Sequence, residues 1–348
     1  MTGTAYMAID AHARSCVLGV MDESGRYLDD WRFATTESEL IRHVAAVKAS
    51  TKRLAIEEGP LAYWIAQTIR EYVDEVFICD PRENALIGRS ARKCDEVDTP
   101  KLCRLLRLGE LKRVYHPLED HRAVFKAAVQ AYLDLADQQA RLKQKLKARY
   151  RMWGVRVHDT TRLYHPKRRG AYLAQVASAP IRAQLERLYA VLEVTRQAKR
   201  EALRQVVELG RRYPEIAEFG KVPGVGVVGA HVFDAWVQTP DRFAGKRQLW
   251  RYAQLGLCDR SSDGKPLGRK RLDRAGNSQL KAMSYHAWLG ALRGRGANEV
   301  KEFFEASLER THERTHARLN TQRKVLASLW GLWKRKEAYD PQKFLGTA

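Results

Sequence analysis

The chain has 348 residues, with 62 Lys and Arg against 41 Asp and Glu and a formal net charge of +21. That length provides two or three domains with cores that need no disulfide or structural metal, and a charge this positive points to a polyanion, nucleic acid first of all. Because the charge is spread along the chain, a broad bound surface fits better than a disordered basic arm.

Residues 1–117 alternate between strand and helix patterns. Ala5–Ile9 is a short apolar strand running into Asp10, Ser15–Met21 is a second, and Asp22–Gly25 turns the chain into a third at Tyr27–Phe33. A helix over Thr36–Ala49 with Thr36 as its cap leads to a strand at Arg53–Ile56. That strand ends at Glu57-Glu58-Gly59-Pro60; a helix over Leu61–Val73 and a strand at Glu75–Cys79 follow. A three-strand meander followed by helix, strand, helix, strand is the order of a ribonuclease-H-like α/β domain.

Residues 118–212 change character. Phe125, Val129, Tyr132, Ala136, Leu142 and Leu146 recur at helical steps, as do Ile181, Leu185, Leu188, Leu192, Val206 and Leu209. The expected structure is an antiparallel coiled-coil hairpin serving packing and self-association. Its link, Trp153–Pro180, is rich in Arg, Lys, His and Tyr and contains Lys167, a candidate nucleic-acid contact. Residues 213–296 form a third, mostly helical region, and 297–348 a charged helix over Asn298–Lys336 with a loose tail. The fold class is therefore α/β plus all-α.

The five cysteines, Cys16, Cys79, Cys94, Cys103 and Cys258, make no C-x-x-C pair. This argues against zinc and for reduced thiols in a cytoplasmic protein, nucleoid-associated when bound to DNA. Neither a signal peptide nor a membrane span is expected.

Asp10 and Glu58 each close a short strand, and Asp95 and Asp98 share one helix face if a helix opens there. Four gathered carboxylates repel one another unless hard cations bind, and Mg²⁺ (or Mn²⁺) suits such oxygens. Spacing alone leaves alternatives: Asp98 before Thr99-Pro100 is also a good helix cap, and Glu57 is as good a candidate as Glu58. Pro223-Gly224-Val225-Gly226 resembles a helix-hairpin-helix turn, in which Gly224 and Gly226 either admit a phosphate to backbone N–H groups or simply make a tight turn. Ser261-Ser262-Asp263-Gly264 precedes Arg269-Lys270-Arg271. A serine there either attacks a phosphodiester whose charge the cations neutralise, or only grips phosphate.

These residues together resemble the DEDD transposases of the insertion sequence 110 family, the bridge-RNA-guided recombinases, over roughly residues 5–290. "AIDAH" is similar to the family's first catalytic strand, "IEEGPLAYW" to its "EATGxYW", and "KCDEVDTPKLCRLL" to its "KTDRIDARxLA". "VPGVG" and "DRF" are similar to its "PGIG" and "RF", "YAQLGLCDRSSDG" to "YAGLAPRxYQSG", and "RLDRAGN" to "RITKTGN". Aligning Trp64 puts the family glutamate on Glu58, and an ungapped match puts the nucleophile on Ser262. Departures include Asp263, which stands where glycine usually follows the serine, and Gln254, which stands where glycine is common.

The resemblance implies a Mg²⁺-binding set of Asp10, Glu58, Asp95 and Asp98 and a covalent phosphoserine at Ser262. It also implies an RuvC-like N-terminal domain, donor and target double-stranded DNA, a structured guide RNA and a homo-dimer or tetramer. The rival readings are a hydrolytic RuvC-like endonuclease, in which water attacks, and a non-catalytic nucleic-acid-binding protein.

Overall fold

The computed structural model describes residues 3–81, 95–116, 120–258, 261–262, 265–266 and 270–346. They form two compact units, Met1–Leu118 and Glu119–Ala348.

In the first unit, β1 (Thr4–Ala11), β2 (Ser15–Met21) and β3 (Tyr27–Ala34) make an antiparallel meander. Helix α1 (Glu37–Ala46) starts at Thr36, whose hydroxyl accepts the Glu39 backbone N–H. Strand β4 (Thr51–Glu57), helix α2 (Ala62–Ile69) and strand β5 (Glu75–Cys79) follow, with β4 parallel to both β1 and β5. The sheet order is β3-β2-β1-β4-β5.

Strand alternation divides the unit's core between the two faces of the sheet. Met7, Ile9, Leu18, Leu54 and Ile56 pack with Leu40 and Val44 of α1 and Ile65 and Ile69 of α2. Ala8, Met21, Ala55 and Cys79 pack with Leu102, Cys103, Leu105 and Leu106 of α3 (Asp95–Leu108) on the other face. Gly19 lets α3 come this close. A Cβ there would lie 2.9 Å from the Thr99 Cβ, and Thr99 is fully buried beside the Tyr27 hydroxyl, 3.2 Å away.

One detail corrects the sequence expectation: α3 already includes Asp95, so Asp98 is its fourth residue and Pro100 lies inside it. The capping reading of Asp98 therefore fails.

Among the described residues the second unit is helical apart from two short strand pairs. Helices α4 (Asp120–Met152) and α7 (Ala179–Gly210) lie side by side as a hairpin. At ~1.5 Å rise per residue, each is roughly 50 Å long. The link is structured: α5 (Thr160–Tyr164), α6 (Gly170–Leu173) and the hairpin tip bury Val155, Leu163 and Val176 against Leu146, Tyr150, Leu185 and Tyr189.

Beyond the hairpin come α8 (Glu215–Lys221), α9 (Gly226–Val237), a 3-10 turn at Pro240–Arg242 and α10 (Lys246–Tyr252). Strands β6 (Leu257–Cys258) and β9 (Arg271–Leu272) pair, as do β7 (Ser261–Ser262) and β8 (Lys265–Pro266). Helices α11 (Ser278–Arg293), α12 (Glu299–Thr311), α13 (Arg314–Arg335) and α14 (Pro341–Leu345) complete the unit.

The single helix expected from Asn298 is two. His312 takes a left-handed conformation (φ +52°), and the Thr311 hydroxyl donates back to the Ser307 carbonyl, ending the first helix before Arg314 begins the next. Val325, Leu326, Leu329 and Leu332 of α13 enter the same core as Phe219, Phe233 and Leu249.

An ion cluster lies inside that core. Asp234, on the apolar helix α9, is fully buried and accepts from the Arg122 guanidinium, which also donates to Glu215 at 3.1 Å and stacks 3.7 Å over the Tyr213 ring. Burial pushes the Asp234 carboxyl well above the usual range, with Glu215 adding to the rise and Arg122 opposing it. Removing one partner of a buried pair leaves a charge uncompensated, so Arg122→Met is expected to destabilise this unit by about 3–5 kcal/mol. Asp234→Asn, which keeps an acceptor and loses only a reluctant charge, is expected to cost less. Urea unfolding midpoints of the two variants check the order.

Candidate functional site

Asp10 is the seventh residue of β1, at the end paired with Val17 of β2. Its side chain is partly buried at 22% exposure, and the His12 Nε2 lies 3.2 Å from Oδ2. It alternates with Ala8 and so belongs to the sheet face that carries α3.

The two glutamates differ in a way that the sequence left open. Ile9 pairs with Ile56 in parallel register, so the next position along puts Glu57 beside Asp10. Glu57 alternates with Ala55, again on the α3 face, and pairs with Cys79. Glu58 lies just past the end of β4. Its backbone N–H donates to the Cys79 carbonyl at 2.8 Å, and its carboxylate is 3.8 Å from the His116 Nε2. Strand alternation was the signal in the sequence that favours Glu57, because a shift of one residue reverses the face.

Helix α3 runs along the same face in a defined direction. Its Arg107 donates to the Glu23 carbonyl (3.5 Å) beside the β2–β3 turn, Cys103 lies 3.5 Å from the Gly19 carbonyl, and Thr99 lies against Gly19. Continuing back along the helix, the backbone of Asp98 and Asp95 heads toward the end of the sheet that carries Asp10 and Glu57. The side chains of Asp95 and Asp98 lie outside the described residues. Among the described side chains, no three His, Cys, Asp or Glu gather closely enough to hold a metal ion.

In the second unit the serine loop rises from a tightly bonded base. The Arg323 Nε donates to the Leu255 carbonyl at 2.8 Å, the Trp250 Nε1 donates to the Arg323 carbonyl at 2.9 Å, and the Asp273 N–H donates to the Gly256 carbonyl at 2.9 Å. Asp273 is held below the usual carboxylate range chiefly by the Ala275 N–H, with Arg251 assisting. At Gly276 (φ +117°) a Cβ would lie 2.3 Å from the Tyr252 carbonyl oxygen, so only glycine closes this base.

Next to this base β6 pairs with β9, and in the second strand pair Ser261 lies opposite Pro266 and Ser262 opposite Lys265. The backbone of Ser261 and Ser262 is described; their side chains and Arg269 lie outside the described residues. Lys270 and Arg271 are exposed. In the link, Lys167 is exposed as well.

Gly224, between α8 and α9, and Gly226, the first residue of α9, both have positive φ (+82° and +59°). Gly224 also has a packing role: its α-carbon lies against the backbone of α11, where a Cβ would overlap the Ala287 carbonyl oxygen at 1.9 Å. Gly226 faces open space.

No helix among the described residues is long and apolar enough to cross a membrane. Residues 217–305 match the model of a family described as the transposase IS116/IS110/IS902 family. The matched span includes Gly224, Gly226, Ser261, Ser262 and the Arg269–Arg271 cluster; the carboxylate-bearing strands and the helical hairpin lie outside it. No curated protein matches the chain.

Proposed function

We propose, from the transposase-family match over residues 217–305, that this chain is a DNA transposase that cuts and rejoins strands through a phosphoserine link at Ser262. The match carries the reading because it covers the serine loop. The meander and parallel strands in the order β3-β2-β1-β4-β5 support a ribonuclease-H-like catalytic unit, with Asp10 and Glu57 on the face toward which α3 brings Asp95 and Asp98.

The donor set fits a hard divalent cation, since Asp10, Glu57 or Glu58, Asp95 and Asp98 offer only carboxylate oxygens. Bound there, Mg²⁺ or Mn²⁺ would offset negative charge on the scissile phosphate.

The remaining chemistry belongs to the chain. The Ser262 Oγ forms a bond to phosphorus, the bond from phosphorus to the leaving deoxyribose oxygen breaks, and the serine proton passes to that oxygen. In rejoining, a strand hydroxyl attacks the phosphoserine, and its proton returns to the Ser262 Oγ. Because one ester replaces another, bond energy is conserved. Arg269, Lys270 and Arg271 bind the phosphate backbone, and a structured RNA of the element selects donor and target by base pairing. The chain acts as a homo-oligomer.

The test uses the purified full chain with Mg²⁺, labelled element-end DNA and transcripts of the flanking DNA. A protein–DNA adduct that survives denaturation and releases DNA on protease treatment is the expected result. Free-ended nicks without an adduct would replace this reading with the hydrolytic nuclease.

A further inference from the structure

The interior of the α4–α7 hairpin changes chemistry halfway along. Its base is closed by Phe125, Val129 and Val206 and its tip by Leu146, Tyr150, Leu185 and Tyr189. Between these apolar plugs a polar pair spans the hairpin: the Lys199 Nζ donates to the Gln139 Oε1 at 2.7 Å. Helix α5 folds over this waist. The Tyr164 hydroxyl donates to the Lys143 carbonyl at 2.8 Å, and the Arg196 Nη2 donates to the Tyr164 carbonyl at 2.6 Å. A cleft of about 550 Å³ opens here, lined by Lys143 of α4, Thr160, Thr161 and His165 of the link, and Arg196 and Arg200 of α7.

The charge balance of the cleft is one-sided. Its one lining carboxylate, Glu193, already accepts from both Arg169 and Arg196 at 2.9 Å. Against it in the lining stand Lys143, Arg196 and Arg200, with Arg169 bonded to Glu193 and Lys199 close to Lys143 beyond the lining. Burial, together with Arg196 and Lys199, holds the Lys143 ammonium below its ordinary range, and burial and Arg196 do the same to Lys199. Like charges gathered this way oppose the fold until an anion shares the space. The cations come from two helices, with threonine hydroxyls between them, an arrangement suited to phosphate oxygens.

We infer that this cleft seats backbone phosphates of a bound nucleic acid, gripped from both arms of the hairpin by Lys143, Arg196 and Arg200. The site goes beyond strand cleavage and stands whether or not Ser262 is the nucleophile.

The test compares the full chain with a Lys143→Gln/Arg200→Gln variant and with an Arg204→Gln/Arg211→Gln control. The control removes the same charge from exposed positions outside the cleft, Arg204 on α7 and Arg211 just past its end. Binding of labelled duplex DNA and of an RNA hairpin is measured across a range of KCl concentrations. The cleft variant is expected to bind roughly ten-fold more weakly at low salt and to lower the log–log salt slope by about one to two, as loss of one or two phosphate contacts does. The control is expected to keep its slope. A change with RNA alone, DNA alone or both identifies the source of the phosphate and supports the site. Equal slopes in the cleft and control variants with both polymers would overturn it. Acylation of wild-type Lys143 by an amine-reactive reagent gives a reading free of folding effects: bound nucleic acid is expected to protect it, and unchanged labelling would overturn the site.

Discussion

Replacing Ser262 by alanine is expected to abolish the covalent protein–DNA adduct and to lower strand joining by roughly 10³-fold or more, the scale on which loss of a nucleophile acts. The substitution removes one oxygen from a residue of the short strand pair β7–β8. The bonded base at Leu255, Gly256 and Asp273 is untouched. Ser261→Ala, one position earlier on the same strand, is the matched control. If Ser262 attacks, Ser261→Ala retains the adduct. If the adduct survives in Ser262→Ala and disappears in Ser261→Ala, the role moves one residue. If both variants retain it, neither serine is the nucleophile. DNA binding measured in parallel separates chemistry from affinity, and Ser262→Ala is expected to bind DNA within about two-fold of wild type, since a lost neutral hydrogen bond contributes little beside many cation–phosphate contacts.

Local signals made the first unit legible. Ser15–Met21 and Glu75–Cys79 were bounded in the sequence as they stand in the structure, because turn residues punctuate them and their apolar runs are short. Thr36 announced α1 through its cap. Signals failed where tertiary packing decided. Thr99-Pro100 advertised a helix start, yet α3 begins at Asp95, as packing of Leu102, Cys103 and Leu106 on the sheet holds the helix through the proline. Nothing in the charged run from Asn298 marks His312 as a break, since neither glycine nor proline stands there. The choice between Glu57 and Glu58 turns on a related point. Alignment on Trp64 counts residues along a turn, whereas the pleat counts them along a strand, and the two counts differ by one. The cleft at the hairpin waist was beyond reach, because Lys143 and Arg200 become neighbours only when α4 and α7 pair.

That difference of one residue makes the carboxylate set the sharpest place to test the first unit. Asp10→Asn keeps the size of the side chain and an acceptor toward His12 while removing the negative charge. Cleavage is expected to fall on the order of 10³-fold, as when a group that holds a catalytic cation is neutralised. Because Asp10 is partly exposed at a strand end, stability is expected to change by no more than about 1 kcal/mol, so a thermal melt distinguishes the two causes. Glu57 stands in register beside Asp10 and shares its face with Ala8 and Ala55. Glu57→Gln is therefore expected to match Asp10→Asn, with activity in each partly regained at higher Mg²⁺ if the loss is one of cation affinity. Glu58, beyond the strand and beside His116, is expected to cost roughly ten-fold or less when changed to Gln, as an outer carboxylate does. The reverse ranking, Glu58→Gln inactive and Glu57→Gln active, would mean that the chain leaves the pleat in time to turn Glu58 inward, and the assignment from strand alternation would fall. Equal and mild effects at Asp10, Glu57 and Glu58 would remove the carboxylates from the chemistry altogether, leaving the serine loop to act without them.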